Sequence, residues 1–286
     1  MAAVTLSEVA RAAGVSPATA SRVLNGSSRT PGPDIAERVR LAAASLGYIA
    51  NAQAQALARS SSGLLGLIVH DIADPYFSSI ARGVQSAARD LGKTLLLICT
   101  EGTPAEERLA VEAFASRRTD AIVLAGSRST RPSDADDNSA LRREAGRYLA
   151  NGGRLVLVGH DLIDGPIAEV PNGHLRTDER GLALESADAG HLVIAIPNES
   201  LAADLAEALA GQGHSRFAVA AGPEGLMTSD LRVAGFQRGL ERAGLGRANV
   251  TRWAFNRDGG FEAGLALEDA ARQAADEGEP LCVFAV

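Results

Sequence analysis

The sequence predicts a small all-α headpiece followed by an α/β body whose strands and helices alternate into two parallel-sheet lobes. Three observations carry that prediction. Residues 4–26, VTLSEVARAAGVSPATASRVLNG, break into two short helices at a glycine. Ser60-Ser61-Ser62-Gly63 has the composition of a linker. From Leu64 onward, short apolar runs alternate with stretches of helical periodicity.

In the headpiece, Thr5 is placed to cap a first helix over Leu6–Ala13, and Glu8, three residues on, completes a capping box. Gly14 supplies the permissive backbone of a sharp turn, Ser16 offers a second N-cap, and Pro17 occupies the first helical position, where its missing N–H costs nothing. Two helices packed through such a turn form a helix-turn-helix, whose second helix lies in the major groove with its first residues at base edges. Pro17, Ala18 and Arg22 then face DNA, while Ala20, Val23 and Leu24 turn inward. Taken alone, helix–glycine–helix is equally the hairpin that opens an ordinary enzyme. A third helix fits Pro33–Leu46, because Ile35, Val39, Ala42 and Leu46 recur at helical spacing and Gly47 can end it. The segment NAQAQALAR, residues 51–59, is too short to be a stable helix alone and is expected to fold when docked on DNA.

In the body, strands are expected at Leu64–Val69, Thr94–Cys99, Ala121–Ala125 and Leu155–Val158, with helices at Phe77–Leu91, Ala105–Arg117 and Leu141–Ala150 between them. A second round opens with a strand at Leu192–Ile196. It continues with helix Ala202–Gly211, strand Phe217–Ala220, helix Asp230–Ala243, strand Val250–Phe255, helix Phe261–Glu277 and strand Leu281–Val286. Such repetition makes parallel sheets with helices on both faces, and ligands bind at the carboxyl ends of the strands. The organisation is then headpiece 1–49, hinge and linker 50–62, first lobe 63–190 and second lobe 191–286. Residues 127–139, SRSTRPSDADDNS, read as a disordered polar loop, and part of 161–190 as an insertion loop.

Charge divides the same way. Residues 1–62 hold six arginines against Glu8, Asp34 and Glu37, a balance of +3, which leaves −10 on the remaining 224 residues of a chain whose net charge is −7. A cationic module on an acidic body suits a protein that touches phosphates at one end only, and argues against a nonspecific nucleic-acid binder. No apolar run approaches the length of a membrane span and no signal peptide precedes the headpiece, so the expected place is the cytoplasm, off the membrane. Cys99 and Cys282 lie in apolar strand-like runs and read as small core residues, with no disulfide. Catalysis finds no support. His70, His160, His174, His191 and His214 lack metal-ligand spacing, and there is no G-x-S-x-G elbow or P-loop. Gly211-Gln212-Gly213 lacks the third glycine of a dinucleotide fingerprint. No catalytic residue, metal or cofactor is expected.

The order and spacing of VTLSEVARAAGVS, SPATASRVLNG, LGYIAN and the closing Ala56-Leu57-Ala58-Arg59 resemble the headpiece of the LacI/GalR family of transcriptional regulators. The body resembles the periplasmic-binding-protein-like core of the same family. The resemblance implies a homodimer on a palindromic double-stranded DNA operator. Its contacts come from Thr5, Ser16, Pro17, Ala18, Thr19, Ser21, Arg22 and Asn25 in the headpiece, and from Asn51, Gln55, Leu57 and Ala58 in a hinge helix. Leu57 of each subunit would wedge into the minor groove at the operator centre. Ala50 departs from the family, which usually has proline before the hinge asparagine. The resemblance also implies a small-molecule effector, a carbohydrate, between the lobes. Polyols are gripped by carboxylates, arginines and an aromatic face, and Tyr76, Phe77, Asp161, Arg232 and Phe255 match those positions. Allosteric repression follows as the expected mechanism. After PLCVFAV the family continues into further segments, so the chain reads as C-terminally shortened, with an incomplete second lobe. The alternative is an effector-independent DNA-binding protein whose body only dimerises, and an enzyme is the remote one.

Overall fold

A computed structural model of the chain describes residues 4–25, 31–49, 61–163, 183–186 and 190–286. It separates into two compact units, Met1–Gly63 and Leu64–Val286.

The first unit contains α1 (Leu6–Ala13), α2 (Pro17–Asn25) and α3 (Pro33–Leu46); α1 and α3 have the bounds the sequence predicts and α2 starts at the expected Pro17. Thr5 Oγ1 accepts from the Glu8 N–H at 3.3 Å, and the Thr5 N–H donates to Glu8 Oε2 at 2.7 Å, so both arms of the capping box form. Gly14 closes α1 at φ +65, a left-handed conformation in which a Cβ would be strained. The Thr19 N–H then donates to Ser16 Oγ at 3.1 Å, which caps α2. Val9, Ala10, Ala13, Ala20, Val39 and Ala43 form the core, with Val23, Leu24 and Tyr48 packed against it. Arg38 crosses from α3 to the carbonyl of Ala13 at 3.1 Å and satisfies an orphan acceptor at the end of α1.

The body opens with β1 (Leu64–Val69), α4 (Pro75–Asp90), β2 (Thr94–Cys99), α5 (Pro104–Ser116), β3 (Ala121–Gly126), α6 (Ala135–Ala150) and β4 (Leu155–Gly159), followed by β5 (Ala183–Ser186) and β6 (Leu192–Ala195). These strands make one sheet in the order β2-β1-β3-β4-β6-β5, parallel except for β5, which runs antiparallel to β6. Strand Leu192–Ala195 therefore belongs to the first sheet and does not open the second lobe. Val193 is buried in the same core as Leu155 and Leu157, and pairing with β4 places it there. The second lobe is built from α7 (Asn198–Gly211), β7 (Phe217–Ala221), α8 (Met227–Arg242), β8 (Asn249–Arg252), α9 (Arg257–Asp276) and β9 (Cys282–Ala285), with a parallel sheet ordered β8-β7-β9. Phe236 anchors its core and stacks on Phe284 with centroids 4.5 Å apart. Helices α7 and α8 meet at backbone distance. A Cβ at Gly235 would fall 2.0 Å from the Glu199 carbonyl oxygen and one at Gly239 2.3 Å from that of Ala203, so only glycine permits the approach.

Three expectations change. Residues 127–139 are ordered, because their polar groups form a junction with the second lobe instead of facing water. Met227 N–H donates to the Arg128 carbonyl at 3.0 Å, Thr130 N–H to that of Gly225 at 2.8 Å, and Thr228 N–H to Ser127 Oγ at 2.9 Å. A short 3-10 turn, Pro132–Asp134, then runs into α6, which starts six residues earlier than Leu141. Cys99 is exposed instead of buried, since β2 is an edge strand and Cys99 follows Thr94 and Leu97 as one of its exposed positions; Cys282 is half-buried. Of the proposed insertion, Leu162 and Ile163 are buried against the first lobe and Ala183–Ser186 adds β5. Residues 164–182 and 187–189 lie outside the described residues.

Candidate DNA-reading helix and ligand cleft

The first candidate site is α2. Its start is exposed at Ser16, Pro17 and Ala18, as is Arg22 one turn further on, whereas Ala20 has no exposure and holds the helix to the headpiece core. Thr19, Ser21 and Asn25 are half-buried. They brace the surface locally: Ser16 Oγ and Thr19 Oγ1 are 2.9 Å apart, and Asn25 Nδ2 donates to Ser21 Oγ at 2.9 Å. Thr5, exposed at the α1 cap, presents another hydroxyl. Arg22 forms no ion pair among the described residues, so its guanidinium fork is open to an external acceptor. The positive end of the α2 dipole adds an attraction for phosphate. The hinge residues Asn51, Gln55, Leu57 and Ala58, with Ala50, lie outside the described residues.

The second candidate site is the carboxyl edge of the first sheet, where parallel strands leave room for ligands. His70 follows β1, Ser127 and Arg128 follow β3, and His160 follows β4, on three adjacent strands. Asp74 caps α4 by accepting the Tyr76 N–H at 2.8 Å and so presents Tyr76 at the helix start, 45% exposed. Phe77, 8% exposed, packs with Leu67, Val69 and Ala125; its ring lies edge-on to Tyr76 at 5.1 Å and tilted against His70 at 5.2 Å. Phe77 is thus a core residue that supports Tyr76.

Opposite, in the second lobe, Arg232 on α8 is held by Asn198, with Nε donating to Oδ1 at 2.8 Å. Its charge reaches two first-lobe groups. Burial raises the Tyr76 phenol, Arg232 pulls it back, and Asp74 pushes it up. His160, whose Nε2 is 3.0 Å from Thr228 Oγ1 across the junction, is held down to about 4, first by burial and then by the charges of Arg128 and Arg232. Phe255, 44% exposed, lies over Gly222, where a Cβ would come within 2.6 Å of its ring. Asp161 is engaged elsewhere. Its Oδ1 accepts from Leu162 N–H at 2.6 Å and meets His191 Nε2 at 2.6 Å. Burial raises its carboxyl, but these two bonds prevail and hold it below the usual range. The structure therefore brings Tyr76, Phe77 and Arg232 together and places Phe255 on the second-lobe side. No hydrogen bond or ion pair among the described residues joins Asp161 to the other four.

Sequence reasoning missed the group beneath this edge. Arg128 is 2% exposed and Glu107, on the first turn of α5, 1%. Arg128 Nη1 donates to Glu107 Oε2, and His70 Nε2 stands 3.5 Å from Oε1. Burial alone would raise the Glu107 carboxyl, yet Arg128 and His70 hold it low and ionised. The available signal was a strand running directly into Ser-Arg-Ser, a place where an arginine turns under the sheet edge. Surrounding Ser, Asp and Pro obscured it.

The depressed His160 value has a consequence for pH. Between its ordinary value of 6.5 and about 4 the unfolded chain binds a proton that the folded protein refuses. Stability therefore rises with pH across that window and falls on acidification. We expect the melting temperature to drop from pH 7 to pH 4.5, and His160→Gln to remove part of that drop. An unchanged pH slope in the variant would assign the loss to other groups.

Among the described residues no helix is long and apolar enough to cross a membrane, and no group of three or more His, Cys, Asp or Glu is placed to hold a metal. Comparison with known proteins finds two matching families along the chain. The family described as bacterial regulatory proteins, lacI family, matches residues 5–51, and that of periplasmic binding proteins and sugar binding domain of LacI family matches residues 62–147. The HTH-type transcriptional regulator PtxS of Pseudomonas plecoglossicida is 29% identical over 95% of this chain and 69% of its own length. GalR of Escherichia coli strain K12 is 36% identical over 51% of this chain; the match covers 42% of GalR. These relatives are transcriptional regulators and not enzymes. In fold, the chain is similar to the lac repressor in its dimer bound to operator and the anti-inducer ONPF, with a TM-score of 0.68 at 23% identity, over 99% of this chain and 74% of that one.

Proposed function

This chain belongs to the LacI/GalR family of DNA-binding transcriptional regulators, and from that premise we propose that it represses transcription in the cytoplasm as a homodimer on a palindromic operator and releases DNA when a carbohydrate binds between its lobes. The observation that carries the reading is the division of α2 into a buried Ala20 face and an exposed face of Ser16, Pro17, Ala18 and Arg22. Pro17 and Ala18 offer only apolar contacts, suited to a thymine methyl, so direct base reading falls to Arg22. Thr5, Ser16, Thr19, Ser21 and Asn25 contribute phosphate and edge contacts. In the hinge, Asn51, Gln55 and Ala58 track the minor groove and Leu57 wedges it open at the operator centre.

The effector is gripped by Tyr76, Arg232, Asp161 and Phe255, with Phe77 behind Tyr76. Its binding favours one relative setting of the lobes, and linkage makes it weaken whichever DNA-bound state requires the other. Selecting bound sequences from a random duplex library tests the operator half of this reading; a palindromic consensus is the expected result, and recovery of unrelated sequences would sink it. Titrating the selected operator complex with sugars tests the other half. Arg232→Ala is expected to abolish release while leaving operator affinity within about twofold, because alanine cannot replace a fork of fixed N–H donors. Release at the parent's ligand concentration would move the effector site elsewhere. Operator binding indifferent to every metabolite tried would favour a body that only dimerises.

A further inference from the structure

Arg128 is wholly buried, yet only one end of its guanidinium is used. Nη1 bonds Glu107, while Nε and Nη2 are buried and meet no acceptor among the described residues. Nε and Nη2 form the side of the guanidinium that receives a carboxylate or phosphate bidentately, and arginine cannot shed its charge to escape an empty fork. The surroundings do not supply the missing anion. Glu107 gives Oε2 to Nη1, while its buried Oε1 stands 3.5 Å from His70 Nε2 and takes no hydrogen bond from the fork; Asp230 pairs with Arg252 at 2.9 Å and accepts from Gly225 N–H. Asp71 and Asp74 accept backbone N–H groups of Ala73 and Tyr76, and Asp161 is engaged by His191. From the second lobe Arg232 brings another cation, bonded among the described residues to the neutral amide of Asn198. Both guanidinium charges bear on His160, which lies on the strand next to β3. Two cations thus bear on this strand edge, where Glu107 meets Arg128 through Nη1 only and the carboxylates of Asp71, Asp74 and Asp161 are turned to backbone N–H groups or to His191.

We infer that the ligand of this edge is an acidic sugar derivative, a polyol bearing a carboxylate or phosphate whose oxygens take the Nε–H and Nη2–H of Arg128. This rests on the reading that an effector binds between the lobes, and it adds the ligand's charge and the residue that reads it. The hydroxyls of such a molecule face Tyr76 and Arg232. A neutral sugar leaves the Arg128 fork empty and is the weaker ligand.

Calorimetry on the full chain tests this with matched sets: glucose, gluconate and glucose 6-phosphate, then galactose, galactonate and galactose 6-phosphate, with inorganic phosphate as the ionic control. At least one acidic member is expected to bind tenfold or more tightly than its neutral parent. Gluconate or galactonate binding assigns a carboxylate, and the phosphate esters assign a phosphate. The double variant Glu107→Gln with Arg128→Gln removes both charges at nearly constant volume and is expected to abolish that preference. Arg128→Lys, which keeps the charge without the fork, is expected to weaken the acidic ligand at least tenfold while the thermal melt stays near the parent's. Neutral sugars binding as tightly as their acids would overturn the inference and leave the effector reading standing, as would acidic ligands bound equally by both variants. No binding by any member, with operator binding intact, would overturn both.

Discussion

Replacing Glu107 with alanine is expected to destabilise the body by about 3–5 kcal/mol, the cost of removing one partner from a buried ion pair. Arg128 is 2% exposed and bonded to Glu107, with no other side-chain acceptor in reach among the described residues, so the variant buries a guanidinium with no counter-charge. Glu107→Gln costs less, because the amide oxygen still accepts from Nη1. The double change to glutamine at 107 and 128 lies nearer the parent than Glu107→Ala, since neutral groups of similar volume carry no charge desolvation. Urea unfolding of the body, followed by circular dichroism, orders the three variants. If Glu107→Ala unfolds at the parent's midpoint, the pair has no structural weight and the empty fork of Arg128 needs another explanation.

The same pair marks where sequence reading stopped. Local signals placed both ends of α1 and α3 and the start of α2, because Thr5, Glu8, Gly14, Ser16, Pro17 and Gly47 act through backbone chemistry over three or four residues. The repeated strand–helix units were legible for a similar reason, since β1 (LLGLIV) and β2 (TLLLIC) are short runs dominated by apolar residues. Strand Leu192–Ala195 was visible as a strand, but its neighbour was not. Pairing with β4 is a long-range choice made by the burial of Val193 in the first-lobe core. Residues 127–131 failed in the opposite sense. Their serines, threonine and arginines look solvated in composition, yet Ser127, Thr130, Arg131 and the Arg128 carbonyl find partners near residue 225, about a hundred positions away, and the Arg128 side chain finds Glu107. In the candidate cleft, Tyr76 and Arg232, chosen from distant stretches of sequence, share an electrostatic environment across the lobes, whereas the pairing of Asp161 with His191, thirty positions away, left no local signal.

Arg22→Ala is expected to lower affinity for the selected operator by roughly 5- to 150-fold, the 1–3 kcal/mol of discrimination carried by a bidentate arginine–guanine contact, and to lower affinity for random duplex DNA far less. The asymmetry is the content of the prediction. Arg22 is exposed on α2, one turn beyond Pro17 and Ala18, and no carboxylate among the described residues competes for its fork. Arg40, by contrast, is exposed on α3 and pairs with Glu37 at 3.6 Å, an arrangement that contributes little to stability and whose loss is expected to act on all duplexes alike. Salt titration separates the roles, because a contact to a base edge leaves the slope of log affinity against log salt nearly unchanged, while loss of a phosphate contact lowers it by about one. If Arg22→Ala weakens operator and random DNA equally and flattens the salt slope, then Arg22 serves only phosphate. Sequence reading would then fall to the minor-groove wedge and the deformability of the operator centre.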